Sequence, residues 1–340
     1  MPEVILAVDA MGGDHGPEVT VPAVARILQR HAQLRVLLVG DADTLKAQLD
    51  RESPGGADRI TVVHASEVVA MDDPVNVALR NRRDSSMRVA INQVREGHAH
   101  AAISAGNTGA LMAVSRFVLK TLPGIDRPAI CTAIPHEQGQ CHMLDLGANV
   151  DVEPEHLLQF ALMGAALSRA VEGLERPRVS LLNIGEEAIK GSETVKQAAE
   201  QLQAHPVLHY QGFVEGDGVF KGEADVVVCD GFTGNVALKT MEGVASMLGT
   251  MIREEINRNL FTRLAGLFSL PWLRNLKHRM NPQRYNGASL LGLDGIVVKS
   301  HGGADVEGFT SALEVAAREA ERNVPALIRD HLGGDTPASS

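Results

Sequence analysis

Apolar runs of strand length alternate along this chain with polar stretches and then with apolar residues at helical spacing. Val4–Val8, Leu34–Val39, Ile60–Val63, Ala101–Ile103, Ala129–Ile134, Cys141–Leu146, Val179–Leu182 and Val226–Cys229 read as strands. Near-continuous hydrophobicity is what strands covered on both faces show, and the interleaved helical patterns point to βαβ units and a largely parallel sheet. A helix is predicted from Pro17, a first-turn proline, to about Gln29, and another from an Asp41 cap to about Leu49. Longer helices are predicted over Pro154–Val171 and from Thr233 to about Asn259. Small residues in both, such as Gly164-Ala-Ala166 and Gly243-Val-Ala-Ser246, would let helices approach closely, in a subunit interface or in an ordinary core. Pro135-His-Glu-Gln-Gly-Gln140 separates two strand patterns and reads as a hairpin turn, so one antiparallel pair is expected.

Five strand patterns run into polar, glycine-containing loops: Asp9 to Pro17, Ser104 to Gly109, Asp145 to Asn149, Asn183 to Glu193 and Asp230 to Asn235. In open α/β sheets ligands bind outside the carboxyl ends of strands, so such loops can converge on one crevice. Glycine lets backbone N–H groups approach a ligand, and a helix start adds positive potential, which together suit an oxyanion such as phosphate. Any single loop could equally be a tight turn or a cap; five in one chain favour a site. The candidate phosphate or substrate contacts are Asp9, Gly12, Gly13, His15, Ser104, Gly106, Asn107, Thr108, Gly109, Asn149, Thr233 and Gly234. In the second loop the Ser104 and Thr108 hydroxyls and the Asn107 amide are expected to supplement the backbone donors. Lys190 and Asn235 are the candidate catalytic groups, the first to neutralise phosphate and the second to orient an oxygen, although Lys190 beside Glu186 and Glu187 could also simply face solvent. Neither GxxxxGK[ST] nor GxGxxG occurs, so the loops are not a Walker A or a dinucleotide fingerprint.

The net charge of −10 and 3% aromatic content argue against nucleic acid as a partner. No apolar stretch reaches membrane-spanning length, no export signal is read at the start, and Cys131, Cys141 and Cys229 are too scattered for a disulfide framework, so a cytoplasmic protein with reduced thiols is expected. The 13 histidines form no HExxH, and no metal is expected. One segment departs from this acidity. From Ile256 to Leu293 there is no Asp or Glu, while Arg263, Arg274 and Lys277 flank an apolar stretch with Leu267, Phe268 and the sole tryptophan, Trp272. This reads as an amphipathic helical hairpin over about 256–285 that meets an anionic membrane or an acidic protein, or packs in a dimer interface. Residues 1–332 are expected to form one α/β catalytic domain and 333–340 a disordered tail.

DAMGGDHGP at 9–17, SAGNTGA at 104–110, LDLGANV at 144–150, NIGEEAIKGSE at 183–193, DGFTGNVALKTMEG at 230–243 and LLGLDGIVVKSHGGAD at 290–305 occur in order over nearly the whole chain. Together they resemble the PlsX-type phosphate acyltransferases. The family often carries Thr where Glu186 stands, which leaves Glu186 without a role. The resemblance implies a three-layer α/β/α sandwich with a mostly parallel mixed sheet, similar to phosphotransacetylases and isocitrate/isopropylmalate dehydrogenases, and a homodimer. It also implies transfer of a long-chain acyl group from acyl carrier protein to inorganic phosphate, without a cofactor. The acyl phosphate would pass to a membrane glycerol-3-phosphate acyltransferase for phospholipid synthesis, which implies peripheral association with the inner face of the cell membrane. The acidic carrier protein would suit the basic hairpin. A coenzyme A-dependent phosphotransacetylase shares the loops but leaves the hairpin unexplained. A related metal- and nucleotide-dependent dehydrogenase lacks an acidic metal cluster here, and a non-catalytic membrane scaffold would leave the polar loops idle.

Overall fold

A computed structural model describes residues 3–52, 55–258 and 285–333. The hairpin residues Arg263, Leu267, Phe268, Trp272, Arg274 and Lys277, and the tail beyond 333, lie outside the described residues.

The strands are β1 (Val4–Asp9), β2 (Leu34–Gly40), β3 (Ile60–His64), β4 (Ala101–Ser104), β5 (Ala129–His136), β6 (Gly139–Leu144), β7 (Arg178–Leu182), β8 (His209–Val214), β9 (Val226–Val228), β10 (Ala288–Leu291) and β11 (Ile296–Lys299). They form one eleven-stranded sheet in the order β3-β2-β1-β4-β11-β10-β5-β6-β9-β7-β8. The helices are α1 (Pro17–Arg30), α2 (Ala42–Glu52), α3 (Val75–Arg80), α4 (Ser86–Arg95), α5 (Thr108–Leu119), α6 (Pro154–Glu172), α7 (Glu193–Ala204), α8 (Gly216–Lys221), α9 (Gly231–Asn257), α10 (Val306–Arg322) and α11 (Val324–Gly333). They cover both sheet faces, so successive side chains of β1 enter different cores: Leu6 and Val8 meet α1 and α10, while Ala7 meets the side that carries α4. A three-layer α/β/α sandwich results.

The single antiparallel pair expected from the sequence is corrected to three. β5 pairs antiparallel with β6, and β10 pairs antiparallel with both β5 and β11. Following these reversals across the sheet, β6, β9, β7 and β8 run opposite to the parallel set β3-β2-β1-β4-β11. The loops after β1 and β4 therefore belong to one half of the sheet, and those after β6, β7 and β9 to the other. Convergence on one crevice outside a single row of carboxyl ends is not what the topology provides.

Glu319 of α10 is buried and accepts a hydrogen bond from the Ser289 hydroxyl on β10. Burial pushes its pKa up from 4.5 to about 7, against the opposing pull of Ser289 and Arg318. Between these two values the folded chain binds more protons than the unfolded one, so this group makes stability fall as pH rises through that window. Glu319→Gln keeps the acceptor oxygen and removes the charge. Near pH 8 it is expected to gain roughly 3 kcal/mol over the parent chain, and near pH 4.5 nothing, by denaturant midpoints. Equal effects at both pH values would show that Glu319 titrates in the fold as it does in the unfolded chain.

Candidate active site

β1, β4 and β11 end side by side, and their register sets Asp9 opposite Ser104 and Ser104 opposite Lys299. All three are buried. The Ser104 hydroxyl donates to Asp9 Oδ2 at 2.6 Å and accepts from Gly106 N at 3.0 Å. Burial raises the Asp9 pKa, and the hydrogen bond from Ser104 is the largest of the contacts that lower it. Lys299 Nζ donates to the carbonyls of Ala105 and Ser300 and so ties the end of β11 to the loop after β4. Its pKa falls to about 8, first from burial and then from Lys239, with Asp14 and Asp9 pulling the other way. The loop after β1 closes over this cluster, with Asp14 N donating to Gly302 O at 2.9 Å. Gly12 has no alternative here: a Cβ would stand 2.5 Å from Asp9 Oδ2 and 2.9 Å from Gly106 N.

Asn107 caps α5, accepting from Ala110 N at 3.0 Å, while its amide donates to Met71 O at 2.7 Å. Ser104 and Asn107 are thus spent on holding the loop, a difference from the expectation that they supplement the backbone donors. Thr108 and Gly109 are exposed at the first turn of α5, where N–H groups point out of the helix end. His15 and Gly13 lie on the rim of the same half, His15 exposed.

In the other half, Asp145 is fully buried after β6. Its Oδ1 accepts from Ile130 N at 2.9 Å and Ala148 N at 3.2 Å, and its Oδ2 from Asn149 N at 2.6 Å and Asn149 Nδ2 at 3.0 Å. Burial raises its pKa against these bonds. The Asn149 amide also donates to Pro128 O at 2.9 Å, so this side chain is occupied within the loop instead of being turned to a ligand. Asp230 caps α9, accepting from Thr233 N at 2.8 Å and the Thr233 hydroxyl at 2.7 Å. Gly231 N donates to Asn149 O at 2.8 Å, which joins the two loops. Asn235 then emerges, exposed, against Gly147. Cys229 is buried between Asp230 and Asp145 with its thiol pKa raised, first by burial, which suits a packing role and no nucleophile.

One groove of about 950 Å3 runs along α5 and connects the halves, bounded by Thr108 and Gly109 on one side and by Gly147, Ala148 and Asn235 on the other. One turn beyond Asn235 on α9, Lys239 is near enough to Lys299 for their charges to repel. Sequence reasoning singled out neither lysine, although Lys239 stands inside the 230–243 motif and Lys299 inside the 290–305 motif; neither is among the residues lining the groove, and Lys239 pairs with Glu242 at 2.8 Å. Lys190 does not line this groove. It is exposed in the loop after β7 and pairs with Glu187 at 2.8 Å, which raises its pKa. Among the described residues, no cluster of three His, Cys, Asp or Glu side chains could hold a metal ion.

The fatty acid synthesis protein family matches residues 4–327. The phosphate acyltransferase of Alcanivorax borkumensis is 67% identical over 333 residues, covering 98% of both chains. That of Halorhodospira halophila is 57% identical over 330 residues, covering 97% of this chain and 96% of its own. Among solved structures, a phosphotransacetylase from Streptococcus pyogenes superposes with a TM-score of 0.66 at 18% identity, over 94% of each chain. EutD phosphotransacetylase from Staphylococcus aureus gives 0.61 at 17% identity, again over 94% of each chain. These two share the fold.

Proposed function

The chain belongs to the fatty acid synthesis protein family and is an enzyme of the phosphate acyltransferase type, and from that premise we propose that it acylates inorganic phosphate from long-chain acyl-acyl carrier protein. The observation that carries this reading is the groove whose lining includes both the exposed start of α5 and Asn235. Phosphate held at Thr108 and Gly109 attacks the thioester carbonyl. The carbonyl oxygen becomes an oxyanion beside the Asn235 amide, the C–S bond breaks, and the proton carried by hydrogen phosphate leaves with the sulfur. Acyl phosphate and free carrier thiol result, so no covalent acyl-enzyme is needed. Asp9, Gly12, Gly13, Ser104, Gly106 and Asn107 hold the phosphate loop in shape; Asn149, Thr233 and Gly234 do the same for the loop that presents Asn235. Lys190 reaches the developing charge on leaving Glu187, and His15 sits at the phosphate entrance.

Residues 1–332 act as one catalytic domain, a reading supported by the single continuous sheet. Val236, Val244, Met247, Leu248 and Met251 are exposed at helical spacing on α9, which supports a homodimer formed through that face. No described helix is long and apolar enough to cross a membrane. Peripheral attachment at the inner face of the cell membrane, through Arg263, Leu267, Phe268, Trp272, Arg274 and Lys277, fits a product passed to a membrane glycerol-3-phosphate acyltransferase for phospholipid synthesis.

Incubation with phosphate and palmitoyl-carrier protein should yield palmitoyl phosphate by mass spectrometry, at a higher kcat/KM than with palmitoyl-coenzyme A. The reverse preference would replace this reading with a coenzyme A-dependent phosphotransacetylase. Thr108→Val should raise the KM for phosphate several-fold. An unchanged phosphate KM would move the phosphate site away from α5.

A further inference from the structure

The groove along α5 changes character from end to end. Thr108, at the reacting end, gives way to a wall of Met112, Ala113, Phe117, Ile130 and Leu146, and the far end is marked by Arg116 and Lys120. Twelve helical residues at 1.5 Å each set its length at about 18 Å, so it suits an extended chain and not a compact ligand.

The far end is basic in a chain of net charge −10. Phe117 is 56% exposed, with the Arg88 guanidinium 5.2 Å and the Lys120 ammonium 5.0 Å from its ring centre. Exposed Arg116 donates to the backbone carbonyl of Asp126. Nearby carboxylates are already engaged: Asp126 with Gln159 at 2.7 Å and Asp294 with Arg329 at 2.7 Å. Arg88, Arg116 and Lys120 form no ion pair among the described residues. Lys120 also sits at φ 67°, a left-handed conformation that favours glycine and costs a lysine of order 1–3 kcal/mol. A strained lysine beside two uncompensated arginines and an exposed aromatic ring has the composition of an anion-docking surface.

Resting on the acyl transfer from carrier protein proposed above, we infer that the α5 groove holds the acylated pantetheine arm, and that Arg88, Arg116 and Lys120 dock the acidic carrier protein at the groove's outer end. The arm threads inward along Met112, Ala113 and Leu146, which delivers its thioester to Thr108 and Asn235. Carrier recognition is thereby assigned to described residues on α4 and α5, apart from the 256–285 segment.

Steady-state kinetics with palmitoyl-carrier protein tests this. Arg116→Glu should raise the KM for palmitoyl-carrier protein at least tenfold, and the gap from wild type should shrink as salt rises. Lys120→Gly should raise the melting temperature by relieving the left-handed strain while raising that same KM, a combination a purely structural lysine would not give. Ala113→Trp should lower the rate with palmitoyl-carrier protein at least tenfold more than with butyryl-carrier protein. Carrier KM values unmoved by both rim variants, or equal losses for both chain lengths in Ala113→Trp, would overturn the inference while leaving the reaction intact. A wild-type protein that forms no acyl phosphate from any carrier thioester would sink the underlying reading as well.

Discussion

Asn235→Ala is expected to lower kcat for acyl phosphate formation by about 10²- to 10³-fold, the usual cost of removing one preorganised oxyanion donor. The loss should fall on kcat much more than on the KM for phosphate, because the amide meets the oxyanion and not the ground-state phosphate. Folding should be little affected, since Asn235 is exposed on the first turns of α9, beside Gly147. Asn235→Asp gives a sharper comparison: it keeps the shape but sets a carboxylate against the developing charge, and should be at least as impaired as the alanine variant. Lys190→Ala is expected to cost at least tenfold if Lys190 leaves Glu187 to reach the reacting phosphate. A near-wild-type Lys190→Ala alongside an impaired Lys239→Ala would give the role of cation to α9. Asn235→Ala within threefold of wild type would remove that amide from the mechanism.

Much of the fold was legible because strands covered on both faces are written as continuous apolar runs. Val4–Asp9 and Leu34–Gly40 emerged within a residue of their predicted ends, as did the Pro17 helix start and the Asp41 cap. β8 escaped notice because His209-Tyr-Gln-Gly-Phe-Val214 is an edge strand, half wetted and interrupted by Gly212, so it lacks such a run. β10 and β11, four residues each, were also not among the strands read from the sequence. The reversal of strand direction at β10 and β5 was illegible for another reason: direction is fixed by partners distant in sequence, Leu290 with Ile130 for example. The loops were found, but composition shows only which groups can hydrogen-bond and not which are already taken. Ser104, Asn107, Asn149 and Thr233 look like ligand contacts by type, yet each is claimed by a neighbouring loop or cap. Lys299 shows the opposite case: nothing in its sequence neighbourhood marks it as buried, and only its place opposite Ser104 reveals that it is.

The other large effect should come from Gly234→Ala, where one methyl group is set against a backbone that cannot retreat. An added Cβ would lie 1.9 Å from the Asp145 carbonyl oxygen and 2.8 Å from Cys229 Sγ. Relief by sliding α9 outward would stretch the bond from Gly231 N to Asn149 O. Moving the Asp145 loop instead would disturb Asp145 N to Cys229 O at 3.0 Å, Cys229 N to Leu144 O at 2.8 Å and the four bonds to the Asp145 carboxylate. Overpacking ordinarily costs 1–3 kcal/mol, and with the Asp145 backbone so close and the buried Cys229 sulfur beside it about 3 kcal/mol or more is expected here, a large part of the margin of a typical domain. Asp145→Ala attacks the same joint from the other side, leaving buried N–H groups of Ile130 and Asn149 unpaired at roughly 1–3 kcal/mol each. Because both changes break one junction, the double variant should lose clearly less than the sum of the two, whereas independent sites would add within about 0.5 kcal/mol. Denaturant midpoints for the two single variants and the double one measure this directly. Strict additivity, or a Gly234→Ala midpoint equal to that of wild type, would mean that α9 is not anchored through Asp145, and that Asn235 is positioned by some other contact.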